Sequence, residues 1–218
     1  MKYTKICGLK NLEDVQLCIK YGADAVGFIY DVPSSPRNLK KSELQQILDN
    51  ISAPILTVIV SKPNNVNHIK EIMNEIKASY YQIHINFDIQ EFNKLTDRMK
   101  KRIILALKLN NKNISDITTI INNYSDQFFG FLIDNSEGHG KKYNIELISK
   151  LKKKIKNDNL IIAGGINVSN VENIVKQINP FGIDVSSSLE SSKGVKEASK
   201  IIDFLKKLYE IKKIKGVK

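Results

Sequence analysis

Short apolar segments rich in β-branched residues recur along this chain, each followed by a stretch of helical spacing. Ala25 to Tyr30, Ile55 to Val60, Ile103 to Leu109, Phe128 to Asp134 and Leu160 to Ala163 are the clearest. Runs this continuous in apolar character suit strands covered on both faces, as in a parallel sheet. Tyr80 to His84 and Ile183 to Ser186 lie where the same spacing puts a strand, and Lys5 to Gly8 opens the series, making eight. Between them, Leu12, Val15, Cys18 and Ile19, then Leu44, Ile47 and Leu48, then Val171, Ile174, Val175 and Ile178 repeat at three- and four-residue intervals. A last helix is expected over Lys196 to Tyr209. Strand and helix in strict alternation call for right-handed crossovers, and eight such units close into a barrel. The expected fold is α/β, one (β/α)8 TIM barrel domain over residues 1–218, with a basic tail from Ile211 to Lys218 that frays.

A chain of 218 residues, 42% hydrophobic and 26% charged, has the apolar content to bury a large core. No run approaches the roughly 20 apolar residues of a membrane helix, and the first residues carry no signal stretch. A soluble, cytoplasmic protein with no membrane partner is expected. Two cysteines, Cys7 and Cys18, suggest no disulfide framework, and His68, His84 and His139 are too scattered to form a ligand set with them, so no metal is expected. The net charge of +11 arises from lysines spread along the helices as well as from the group Lys152, Lys153, Lys154 and Lys156. Without an aromatic-rich basic patch or a zinc module, a nucleic-acid partner is not expected. A positive field that attracts an anionic substrate is the better reading.

In such barrels the chemistry sits at the C-terminal ends of the strands. Cys7 ends the first strand there, Asp134 the sixth, Gly164 and Gly165 the seventh, and Ser186, Ser187 and Ser188 the eighth. Backbone N–H groups of the glycine pair and of the serines, at the starts of helices, look like a phosphate cradle, in the loops where this fold usually binds phosphate; the less favoured alternative is a tight turn at the glycines and a helix cap at the serines. Cys18 falls on an apolar helical stripe and reads as core. Cys7 alone would read as packing too, but it shares the rim with Asp134. By strand alternation Lys5 and Asp184 both point into the barrel, on strands that adjoin when it closes, and are expected to form an ion pair.

These residues resemble those of the phosphoribosylanthranilate isomerase family. The likeness is carried by Lys5-Ile6-Cys7-Gly8, Gly22 to Phe28 with Ser35-Pro36-Arg37, Gln82-Ile83-His84, Asp134 with Gly138-His139-Gly140-Lys141, Ala163-Gly164-Gly165-Ile166 and Asp184-Val185-Ser186-Ser187. It runs from about Lys5 to Leu205. It implies a cofactor-independent Amadori rearrangement in tryptophan biosynthesis, with a small phosphorylated substrate. By the same likeness Cys7 is the general base, Asp134 the general acid and Arg37 the contact for the anthranilate part. Gly164, Gly165, Ser186 and Ser187 fall on the family's phosphate site, and Asp184 on its aspartate ahead of the serines. A monomer or homodimer is expected.

The chain departs from the family pattern at Ile85, Ser188, His139 and Asn144. His139 is expected to be an exposed loop residue. Two other functions fit parts of this pattern. One is a histidine-pathway aminoaldose isomerase, which would carry an aspartate where Cys7 stands; the other is a non-catalytic basic barrel that binds RNA.

Overall fold

The computed structural model describes residues 1–134, 144–156 and 159–214. Eight parallel strands form the barrel: β1 (Tyr3–Cys7), β2 (Ala25–Tyr30), β3 (Leu56–Ser61), β4 (Tyr80–His84), β5 (Ile103–Lys108), β6 (Gly130–Asp134), β7 (Leu160–Ala163) and β8 (Gly182–Val185). Each strand pairs with the next, and β1 pairs with both β2 and β8, which closes the ring. All eight expected strands are present: three keep their expected bounds, and the other five differ at an end by one or two residues. A two-residue strand, Asn38–Leu39, adds to β2, and a small hairpin joins Glu190–Ser192 to Val195–Lys196.

The helices are α1 (Leu12–Lys20), α2 (Lys41–Asp49), α3 (Val66–Glu75), the short α4 (Asp97–Lys100), α5 (Ile114–Tyr124), α6 (Ile145–Lys152), α7 (Val171–Ile178) and α8 (Ala198–Ile214). In α7 the buried side chains are Val171, Ile174, Val175 and Ile178, the stripe that faces the sheet. Removing each such aliphatic side chain from water is worth about 1.5–3 kcal/mol. The helix stops where Asn179 turns left-handed (φ 46°) ahead of Pro180. Asparagine side chains start α1, α3 and α6: Asn11, Asn65 and Asn144 accept from the N–H of the third residue on. Asn144 thus accounts for itself as a cap, a place where it serves as well as aspartate.

Two apolar layers follow from strand alternation. The larger lies between strands and helices and includes Ile6, Val26, Phe28, Leu105, Ile133 and Ile162. The smaller fills the barrel, with Tyr3, Cys7, Val58, Val60, Ile104, Leu132 and Ile161. Stacked rings of Tyr3 and Phe181, with Phe129 and Tyr80, close the N-terminal end of the barrel. The C-terminal end is left for polar groups. Cys18 is fully buried, as expected.

The last helix differs from expectation, and residues 215–218 of the expected tail lie outside the described residues. Helix α8 runs on to Ile214 rather than fraying from Ile211, because Ile201, Phe204, Leu205, Leu208 and Ile211 continue one buried stripe. Its start differs as well: Lys196 belongs to the hairpin, where Glu190 binds its ammonium. Among the described residues no helix is long and apolar enough to cross a membrane.

Candidate active site

Lys5 and Asp184 are paired in register across β1 and β8, and both point inward. Lys5 Nζ lies 2.9 Å from Asp184 Oδ1 and donates to Gln82 Oε1 at 2.9 Å. The ammonium is fully buried. Burial alone would push its pKa down; the charges of Asp184 and Cys7, with their hydrogen bonds, reverse this and raise it overall. Because a lysine only donates, Gln82 must turn its Oε1 to Lys5 and its Nε2 to His84, 3.2 Å away. His84 Nε2 therefore accepts, which leaves the ring proton on Nδ1. Burial holds the imidazole pKa below its ordinary value, with Asp134 opposing and Lys5 reinforcing the effect. His84 is neutral at neutral pH.

Cys7, two residues beyond Lys5, ends β1 on the same inner face. A Cβ on Gly27 would lie 3.0 Å from Cys7 Sγ and 3.1 Å from Lys5 Nζ, so glycine at this point of β2 lets thiol and ammonium sit together. Burial pushes the thiol pKa up; Lys5 and Lys196 pull against that, and Asp184 adds to it. The Cys7 carbonyl accepts from Ser186 Oγ at 2.9 Å.

One cavity of about 240 Å³ opens at this rim. Its lining brings together Cys7, Asp134, Gly164, Gly165, Asp184, Ser186 and Ser187 from four different strands, together with Gln82, His84 and Ser188. Gly164 and Gly165 are both left-handed, at φ 86° and 67°. Their loop does not run straight into a helix. Asn167 and Asn170 hold an intervening turn, and α7 begins only at Val171. The serines start a single turn of 3₁₀ helix, Ser187–Leu189, rather than a full helix. Ser188 Oγ donates to the Ile166 carbonyl at 2.5 Å and ties the two loops together, which gives that departure from the family pattern a structural part.

Arg37 does not line this cavity. Its guanidinium makes a two-point pair with Glu190, Nε to Oε1 at 2.6 Å and Nη2 to Oε2 at 2.8 Å. The sequence reading gave no part in the site to Glu190 or Lys196, and named Gln82 only as a member of the family motif. Alternation along β4 puts Gln82 and His84 on the inner face and would have found Gln82; nothing local marks the other two. Residues 138–141, with His139, lie outside the described residues. Ile85 is half-buried beside a second hollow that includes Ile29, Val60 and His84.

A closed barrel of eight parallel strands, with a thiol, carboxylates and a glycine–serine loop pair around one rim cavity, is a (β/α)8-barrel enzyme. The family model of N-(5'-phosphoribosyl)anthranilate isomerase matches residues 4–207. The isomerase of Leptospira interrogans is 32% identical over 213 residues, covering 93% of this chain and 92% of that one. The crystal structure of phosphoribosyl anthranilate isomerase from Thermotoga maritima superposes with a TM-score of 0.80 at 28% identity, over 96% of this chain and all of that one. Another isomerase structure, in complex with reduced 1-(o-carboxyphenylamino)-1-deoxyribulose 5-phosphate, superposes at 0.79 with 27% identity and the same coverage. This chain belongs to the N-(5'-phosphoribosyl)anthranilate isomerase family, aldose–ketose isomerases of tryptophan biosynthesis.

Proposed function

We propose that Cys7 and Asp134 are the acid–base pair of this isomerase. The observation that carries the reading is that both line one cavity with the glycine and serine loops. Asp134 gives a proton to the furanose ring oxygen; the C–O bond opens and leaves a Schiff base at the anomeric carbon. The Cys7 thiolate then removes the proton from the neighbouring carbon, forming an enolamine that tautomerises to the aminoketose. Every atom comes from substrate or from these two groups, and the residues call for no cofactor.

The Gly164–Gly165 and Ser186–Ser187 loops hold the phosphate, Asp184 faces the sugar from the same wall, and Arg37 takes the aryl carboxylate. In a related protein the bound analogue carries these same groups, a phosphate, a sugar chain and a carboxyphenyl ring. The whole of 1–218 acts as one domain. A related enzyme from Thermotoga maritima is described as dimeric, so a homodimer is the assembly to look for first.

The direct experiment follows loss of phosphoribosylanthranilate fluorescence with the purified protein. Turnover is expected without added metal or cofactor. No turnover, together with isomerisation of the histidine-pathway aminoaldose or sub-micromolar RNA binding at physiological salt, would replace this reading.

A further inference from the structure

Arg37 and Glu190 stand 153 residues apart, in the loops after β2 and β8, and meet at the rim beside β1. The Arg37 stem packs over Gly8, the residue after Cys7: a Cβ there would come within 2.5 Å of Arg37 Cδ. The Glu190 carboxylate is almost wholly buried, at 5% exposure, and takes four donors on its two oxygens. Oε1 accepts from Arg37 Nε at 2.6 Å and Lys196 Nζ at 2.9 Å; Oε2 accepts from Arg37 Nη2 at 2.8 Å and the Gly194 N–H at 3.0 Å.

A guanidinium offers two edges to planar anions, and Glu190 occupies the Nε edge. Among the described residues no hydrogen bond uses Nη1, so the end edge is the one that remains for a second carboxylate. One carboxylate shared by Arg37 and Lys196 leaves this cluster with a net charge of +1, so Glu190 does not cancel the attraction for an anion. Lys196 cannot itself swing to a ligand. Its side chain is 1% exposed and also reaches the Ser186 carbonyl at 3.0 Å. Through Ser186 the cluster joins the Cys7 carbonyl, so the arginine is registered to the strand ends that carry the reacting groups. Burial alone would raise the Glu190 pKa, but the bonds from Arg37, Gly194 and Lys196 hold it down to about 2, so the clamp stays charged at any working pH.

We propose that Glu190 is a positioning residue for recognition of the substrate's aryl carboxylate: it clamps the Nε edge of Arg37 and presents the end edge. An arginine already fixed in its binding rotamer loses less freedom when the anion arrives. The inference rests on Arg37 as the aryl-carboxylate contact.

The test compares Glu190→Gln, Glu190→Asp, Arg37→Ala and the Glu190→Gln/Arg37→Ala pair, with inorganic phosphate as a second probe. Glu190→Gln should raise KM about tenfold and leave kcat within about threefold, as expected when substrate binding rather than chemistry is weakened. Phosphate inhibition should be unchanged, and Glu190→Asp should lie nearer the wild type. In the Arg37→Ala background Glu190→Gln should add nothing to KM. An equal KM rise in both backgrounds, a fall in KM, or a parallel loss of phosphate inhibition overturns the inference. If Glu190→Gln does not fold, Glu190→Asp carries the same comparison: a KM rise lost in the Arg37→Ala background supports the clamp, and one that persists overturns it. Unchanged KM in Arg37→Ala alone would instead remove the aryl-carboxylate reading beneath it.

Discussion

Lys5 and Asp184 stand opposite one another on the strands that close the barrel, 2.9 Å apart and both buried. Each is the other's compensation for burial. Removing one partner of such a pair typically costs about 3–5 kcal/mol, because a buried charge is left alone. Asp184→Asn is expected to lose stability of that order in urea unfolding. A Lys5→Met/Asp184→Leu double replacement, which leaves neither charge, should lose less than the single change. An Asp184→Asn protein as stable as the wild type would show that the pair carries no such weight.

The glycine loop makes a second expectation specific. Gly165 sits at φ 67°, a conformation that costs a residue with a side chain about 1–2 kcal/mol. Gly165→Ala should weaken inhibition by inorganic phosphate by roughly tenfold, while the open space around Gly165 leaves the added methyl without a clash. Crystals soaked in sulfate should show the anion between Gly165 and Ser187. Density confined to other parts of the surface would argue against a cradle there.

The net charge of +11 should act on capture rather than on chemistry. Raising the ionic strength is expected to lower kcat/KM for this multiply charged anionic substrate and to change kcat less. Equal kcat/KM at low and high salt would leave the lysines without a functional part.

Burial dominates the environment of Cys7 and moves its thiol upward, with Lys5 the main influence in the other direction. A base works in its deprotonated form, so activity must grow as pH rises toward the thiol's pKa. The limb of kcat/KM that belongs to Cys7 should therefore lie above the usual thiol value of about 8.5. A limb at or below that value would contradict the burial argument.

Five strands were legible because they are nearly continuous apolar runs, a pattern that few alternatives share; β1, β4 and β8 carry Lys5, Gln82, His84 and Asp184 on the inner face and were legible only from their place in the series. Lys5 facing Asp184 was legible too, since it needs only alternation along two strands and closure of the ring. Arg37 pairing with Glu190 was not: the two lie 153 residues apart, and Glu190 sits in a three-residue strand with no periodic signal. Lys196 misled because its neighbours continue toward a helical pattern, while its own ammonium is held by Glu190. The continuation of α8 was readable in principle. Ile211 extends the stripe of Ile201, Leu205 and Leu208, but the surrounding lysines masked it.

Paired isosteric changes test most directly whether Cys7 and Asp134 carry out the proton transfers. Cys7→Ser keeps the shape but offers a hydroxyl far too weak as an acid to become the base; Asp134→Asn keeps the shape but has no carboxyl proton to give. Positioned acid–base groups contribute about 10²–10⁴-fold each, so kcat measured by single-turnover loss of phosphoribosylanthranilate should fall by that factor in either variant. Phosphate inhibition and the unfolding midpoint should stay near the wild type. A folded Cys7→Ser enzyme that turns over at close to the wild-type rate would contradict the account and return Cys7 to the barrel core.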